Sequence, residues 1–216
     1  FVTACARTGS ATAFALTIWM LGAFVTFSAK RCPSQSVLSP EWQGAITGLA
    51  LVLMPRLYGH AHLAALETIT NLTCTAAILS IASGWNQTTP PSGRAAILAG
   101  VFLGVALLTK IQAILIPVPI VICTLLHWRQ RGLFPLLIWF TVATLVFVAG
   151  WPYLWHDPVK HVLEYLGRTT NRVTLNCYYF GTTYQDRLVP RHYPFVMFAV
   201  TVPLGLHLLG LLGLIA

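Results

Sequence analysis

The stretch ATAFALTIWMLGAFVTFSA, residues 11–29, holds nineteen residues without a charged side chain and stops at Lys30-Arg31. A hydrocarbon core of about 30 Å needs about 20 helical residues per crossing, so this run has the length and polarity of a membrane span. Six further apolar runs lie at 43–58, 62–82, 95–109, 111–128, 133–155 and 194–216. Met54-Pro55-Arg56 cuts the second, Lys110 ends the fourth, and Pro117 and Pro119 break the fifth. Over the whole chain 56% of residues are hydrophobic and 8% charged, with a mean hydropathy of +0.74. A soluble domain is about 25% charged. Water would face far too much apolar surface here, and a disordered, collagen-like or disulfide-stapled chain is excluded on the same ground. The expected class is all-α: a polytopic transmembrane helical bundle of about seven spans plus an interfacial helix. It reads as a single membrane domain over 1–216. The chain starts at Phe1 within apolar sequence and is read as a fragment of a longer protein.

The long polar segment 156–193 is the exception to this pattern. Within it, Val159, Val162, Leu163 and Leu166 fall on one face, which predicts a short helix from Pro158 to Thr170. Asp157 is placed to cap it, with Pro158 in the first helical position. Such a helix would lie in the membrane interface. Trp and Tyr crowd both ends of the segment, as at a membrane–water boundary. Counting Lys and Arg on alternate sides of seven spans gives five against seven. That count puts the side bearing 156–193 inside, but it includes charges set directly against apolar helices.

The net charge is +8, from 13 Lys+Arg against 5 Asp+Glu. Because the basic residues sit between spans, the anions they suit are phosphates of lipids or lipid-linked substrates, and no nucleic acid is expected. Arg56, His60, His62 and Glu67 share one stretch, 54–67. Charges at membrane helix ends are costly and are functional candidates by default. On a continuous helix His60 and Glu67 would share a face toward an aqueous cavity. The bland reading is an interfacial cap with Arg56 reaching to headgroups. Lys110 reads either as a snorkelling lysine or as a cation facing a phosphate. A third cluster contains Arg168, Arg172, Tyr178-Tyr179-Phe180-Gly181, Tyr184, Asp186, Arg187, Arg191 and His192. It suits a sugar ring packed on aromatics and a phosphate held by Arg, or else an aromatic belt with solvated charges.

Residues two apart point to different helix faces, so His60-Ala61-His62 reads as hydrogen-bonding or structural histidines and no metal ligands are assigned. Cys5, Cys32, Cys74, Cys123 and Cys177 form no CxxC pair and do not report a redox compartment. Asn71-Leu-Thr73 and Asn86-Gln-Thr88 match the glycosylation pattern and receive no role. There is no Walker loop, GxGxxG or GxSxG.

Five stretches occur in order: PRLYGHAHLAALE at 55–67, GVALLTK at 104–110, WPYLWHDP at 151–158, YYFG at 178–181 and HYP at 192–194. Together they resemble the polytopic glycosyltransferases of the C superfamily, closest to the family 39 protein mannosyltransferases and the bacterial aminoarabinose transferases. The resemblance implies an enzyme that moves a hexosyl or pentosyl group from a polyprenyl-phosphate-linked donor to a protein, lipid or glycan acceptor. Transfer would occur on the outer or luminal face of a membrane, with a bacterial cell membrane expected. It sets the long loop outside, reversing the charge count. It implies that Lys110 contacts the lipid phosphate, that Glu67 stands where the family usually has Asp, and that Arg56 and His60 line the cavity. Tyr179 and Arg187 would act from the outer loop. No fixed cofactor is implied, and a divalent metal is left open. The family's principal catalytic Asp lies in a loop before the matched region, so Glu67 is a secondary carboxylate and the fragment is expected to lack the main base. The alternatives are a transporter or flippase of lipid-linked saccharides, and a non-catalytic membrane scaffold.

Overall fold

The computed structural model describes residues 2–31, 38–85, 89–170 and 174–215. Cys32, Pro33, Asn86-Gln87-Thr88 and Arg172 lie outside the described residues, as do the side chains of Leu166 and Arg168. The described residues are mostly helical, 79%. Residues Phe1–His156 and Asp157–Ala216 form two compact units.

In the first unit, α1 (Val2–Arg31) is a single 30-residue helix. Three of its threonine hydroxyls are satisfied within the helix: Thr12 donates to the Thr8 carbonyl, Thr17 to Ala13 and Thr26 to Gly22, at 2.8–2.9 Å. This is what allows so many threonines in an apolar helix. Helix α2 (Pro40–Val52) starts on Ser39, whose hydroxyl accepts from the Trp42 N–H, with Pro40 in the first turn. Glu41 pairs with Lys30 across the α1–α2 connection at 2.8 Å. The Lys30 hydrogen bond holds the Glu41 carboxyl below its ordinary range. Gly22, Gly44 and Gly48 bring the two helices close, and a Cβ on Gly22 would sit 3.1 Å from the Gly44 carbonyl oxygen.

The chain then turns through α3 (Pro55–Ala61) into α4 (Leu66–Gly84), which are bent by 114° across residues 62–65. Helix α5 (Gly93–Thr109) begins on the Ser92 hydroxyl, which accepts from the Ala95 N–H at 3.2 Å. It ends where Lys110 adopts extended backbone, φ −160° and ψ 133°. A short 3₁₀ turn, Ile111–Leu115, leads to α6 (Pro117–Trp128), and a second, Arg129–Gly132, leads to α7 (Leu133–Gly150). Proline cannot donate to the preceding turn, so Pro117 starts a new helix and does not continue the old one.

The packed centre lies where α5 meets α4 and α7. Ile81, Ala96, Ala99, Leu103, Leu136, Trp139 and Ala143 form one buried cluster, and Ala77, Ala106 and Ala113 a second. Trp139 is wholly buried. The Trp85 indole donates to the buried Thr124 hydroxyl at 3.1 Å, tying the end of α4 to α6. Gly100 and Gly104 lie one turn apart on α5 and face α7. A Cβ on Gly100 would sit 2.7 Å from the Trp139 carbonyl oxygen and 2.8 Å from Val142 Cβ; one on Gly104 would sit 2.6 Å from Val146 Cβ. The exterior is the reverse of a soluble protein's, with Leu126 78% and Phe134 70% exposed. Such a surface is compatible with lipid.

By length and composition two helices can cross a membrane, Ala4–Arg31 and Ile111–Gly150, or up to four if each bent pair forms one span. The seven spans expected from the apolar runs are not supported. The run 43–58 yields a 13-residue α2 that stops before Pro55. The runs 111–128 and 133–155 merge into one 40-residue apolar length. At 17 residues α5 reaches only about 26 Å.

In the second unit α8 occupies Pro158–Thr170, with the His161 N–H bonded to the Asp157 carbonyl at 3.0 Å, so the expected helix forms at the expected boundary. Val159 and Leu163 on its apolar face are exposed. The all-α expectation needs correction at β1 (Asn176–Tyr179) and β2 (Thr182–Gln185), an antiparallel pair with Tyr179 opposite Thr182. Phe180 and Gly181, at φ 46° and 82°, form its two-residue turn. Helices α9 (Tyr193–Thr201) and α10 (Leu204–Ile215) follow; α9 and the Leu204–Leu212 part of α10 are bent by 101° at Pro203.

Enlarging Gly100 or Gly104 to Val should drive α5 off α7 and destabilise the unit by about 1–3 kcal/mol. Gly9→Ala, where nothing lies within 4 Å, should change stability by no more than about 1 kcal/mol. Thermal unfolding of the detergent-solubilised protein measures both.

Candidate functional site

Two charged residues of the first unit, Glu67 and Lys110, meet where helices are interrupted. Pro55 opens α3, which stops at Ala61; the His62 N–H bonds the Gly59 carbonyl and the Leu63 N–H the His60 carbonyl, at 3.3 and 3.1 Å. The restart of α4 is held from two sides. Thr68 donates its hydroxyl to the His60 carbonyl at 3.1 Å across the bend, and Ser10 of α1 reaches the Ala65 carbonyl at 3.4 Å. Glu67 therefore stands in the first turn of α4, where the helix dipole favours an anion.

Lys110 stands just past the end of α5, where a cation is favoured. Its Nζ lies 3.5 Å from Glu67 Oε1, with the two side chains 34% and 46% exposed. One layer deeper the hydroxyls of Thr73 and Thr109 share a hydrogen bond at 2.9 Å, setting α4 and α5 in register directly behind the ion pair. Thr109 also contacts the Ala106 carbonyl at 2.7 Å and Thr73 the Thr70 carbonyl at 3.1 Å.

Thr68, next to Glu67, holds the His60 carbonyl, so His60 and Glu67 stand on the two sides of the bend. The arrangement is not the one the sequence suggested. The helix is not continuous from 60 to 67; residues 62–65 separate α3 from α4. The buried Nδ1 of His60 has no hydrogen-bond partner among the described residues. Arg56 lies one turn before His60 on α3, is exposed, and makes no ion pair among the described residues. His62 turns away, its Nδ1 2.8 Å from the Tyr58 carbonyl and its ring 4.4 Å from that of Tyr58.

Tyr179 and Arg187 belong to the second unit. Tyr179 is buried, packed on Phe180, His192 and Tyr193 at ring-centre distances of 4.5, 5.6 and 5.1 Å. Burial, with smaller effects from Tyr184 and Tyr193, holds its phenol above the ordinary range. It organises the hairpin's aromatic cluster, while Tyr178 and Phe180 carry the exposed rings. Arg187 is exposed in the turn after β2. Among the described residues no three His, Cys, Asp or Glu side chains converge on one point.

No family model, curated protein or solved structure matches the chain. The local geometry therefore carries the chemistry. An ammonium and a carboxylate, both reachable from outside, face each other at two helix breaks, with a histidine and a hydroxyl pair beside them. Thr68, Thr73 and Thr109 were not singled out from the sequence. Their signal was a hydroxyl next to each charge, Thr68 after Glu67 and Thr109 before Lys110.

Replacing Thr73 and Thr109 by Val, singly and together, should reveal a coupling of about 0.5–1.5 kcal/mol in a double-mutant cycle of unfolding free energies.

Proposed function

We propose that the chain is part of a multi-pass membrane glycosyltransferase that takes its sugar from a polyprenyl-phosphate donor, in a bacterial cell membrane. The observation that carries this reading is the Lys110–Glu67 pair at 3.5 Å, set where α4 and α5 break. The ordered motif set supports it, because it gives the same two residues a phosphate and an acceptor to act on.

In this reaction an acceptor hydroxyl or amine attacks the anomeric carbon on the face opposite the phosphate. The carbon–oxygen bond to the lipid phosphate breaks and its electron pair leaves with the phosphate oxygen. The acceptor's proton passes to a carboxylate. Lys110 meets the charge that grows on the departing phosphate, and Glu67 is the candidate proton acceptor within these residues. In this proposal His60 and Arg56, one turn apart on α3, are further hydrogen-bond donors for the substrate. On this reading α8 lies in the membrane interface on the outer or luminal side, with Val159 and Leu163 toward lipid, and the hairpin's exposed Tyr178 and Phe180 offer stacking faces to a sugar or acceptor. Protein, lipid and glycan acceptors all suit this chemistry.

A transporter or flippase of lipid-linked saccharides is the second reading. The interrupted helices favour it, since broken helices build substrate sites in transporters.

In the complete protein, Lys110→Ala should lower transfer of a radiolabelled sugar from its polyprenyl phosphate by about 100-fold or more while the protein stays in the membrane. Undiminished transfer would remove Lys110 from the site. Movement of the lipid-linked sugar across vesicles with no new glycosidic bond would favour the transporter.

A further inference from the structure

Lys110 carries one positive charge and faces two claimants. One is the Glu67 carboxylate now beside it. The other, on the function proposed above, is a phosphate. At 3.5 Å the pair is longer than the 2.7–2.9 Å typical of a charge-assisted hydrogen bond. Both side chains are partly open to the surroundings, and exposed pairs of this kind are weak. Among the described residues Glu67 is the acid paired with Lys110, and Thr73 and Thr109 are engaged with each other and with their own helices. Glu67 also has a second favourable partner in the N-terminal turn of α4, so losing Lys110 does not strand it.

We infer that Glu67 is a stand-in counter-ion that occupies the Lys110 anion site until a phosphate ester displaces it, and that the displaced carboxylate is a better proton acceptor. The inference rests on Lys110 as the phosphate contact. A carboxylate held against an ammonium is a poor proton acceptor; released from it, with a phosphate anion nearby, it is a better one. Donor binding thus favours acceptor activation. The Lys30–Glu41 pair makes the same type of contact at 2.8 Å at the α1–α2 connection. Breaking it tests whether removing any acid has the same effect.

The test is binding of farnesyl phosphate, and separately of inorganic phosphate, to the full chain in lipid nanodiscs. Glu67→Gln should tighten farnesyl phosphate binding by about two- to fivefold, the scale of an exposed ion pair, and Glu67→Ala should do the same. The gain should shrink at high salt, where the competing pair is screened. Lys110→Ala should weaken binding at least about tenfold, as the loss of a charge-assisted contact does. Glu41→Gln should leave it unchanged. Tighter binding of farnesyl phosphate than of inorganic phosphate identifies a lipid headgroup as the natural anion, and equal binding a free phosphate; a gain on removing Glu67 supports the counter-ion role with either. Wild-type affinity in Lys110→Ala would overturn both the phosphate contact and the inference. Loss in Lys110→Ala with no gain in either Glu67 variant would leave the phosphate contact standing and overturn the counter-ion role. An equal gain in Glu41→Gln would overturn it as well, because the effect would then be bulk charge.

Discussion

The close approach of α5 to α7 through Gly100 and Gly104 is the constraint on which the first unit depends. Helices that share an apolar surrounding gain little from hiding apolar surface from water. They are held by van der Waals contact and by hydrogen bonds, so small residues that let backbones approach become decisive. Gly100 lets the Trp139 carbonyl come to where a methyl group would stand, and Gly104 does the same for Val146 and the Ala143 carbonyl. Ala96, Ala99 and Ala106 extend the same economy of size along α5. Glycine is a poor helix former. It is retained here because the helix–helix contact outweighs the lost propensity.

The polar site follows from where the packed helices stop. Helix α5 ends at Thr109 and α4 begins at Leu66, and the bond between Thr73 and Thr109 fixes the offset between them. Lys110 and Glu67 are then placed at one level by their helices' termini, not by sequence proximity. The backbone groups freed at 62–65 find partners in Thr68, Ser10 and local turns. Away from water each such group needs a partner, and at this bend the Thr68 and Ser10 hydroxyls supply it. The breaks, the hydroxyls and the charges form one arrangement.

Much of this was legible in the residues taken one at a time. Lys110, Glu67, His60 and Arg56 stand out because charge against apolar helix is costly, whatever the fold. Helix α8 was legible to the residue, since Asp157-Pro158 is a start signal and its apolar spacing is regular. The number of crossings was not. Apolar runs record composition, while a span needs a helix of sufficient length; Pro55 and the turn at 62–65 divide or redirect the early runs, and 111–150 joins two later ones. The hairpin was missed because Phe-Gly is an uncommon pair for a turn that needs two positive φ values; the signal was Cys177-Tyr-Tyr before it and Thr182-Thr-Tyr after it. The burial of Tyr179 was equally out of reach, because its neighbours His192 and Tyr193 come from beyond the hairpin.

The sequence by itself determined that the chain is helical and apolar on its outside, and which few charged residues had to have a purpose. Those properties follow from composition and from periodicity along the chain, which are local. The tertiary structure decided that Lys110 meets Glu67, that Thr73 meets Thr109, and that a bend, not one continuous face, lies between His60 and Glu67. These are contacts between segments up to 43 residues apart. They are set by how closely two helix backbones can approach and by where each helix ends, and no pattern along one helix encodes both.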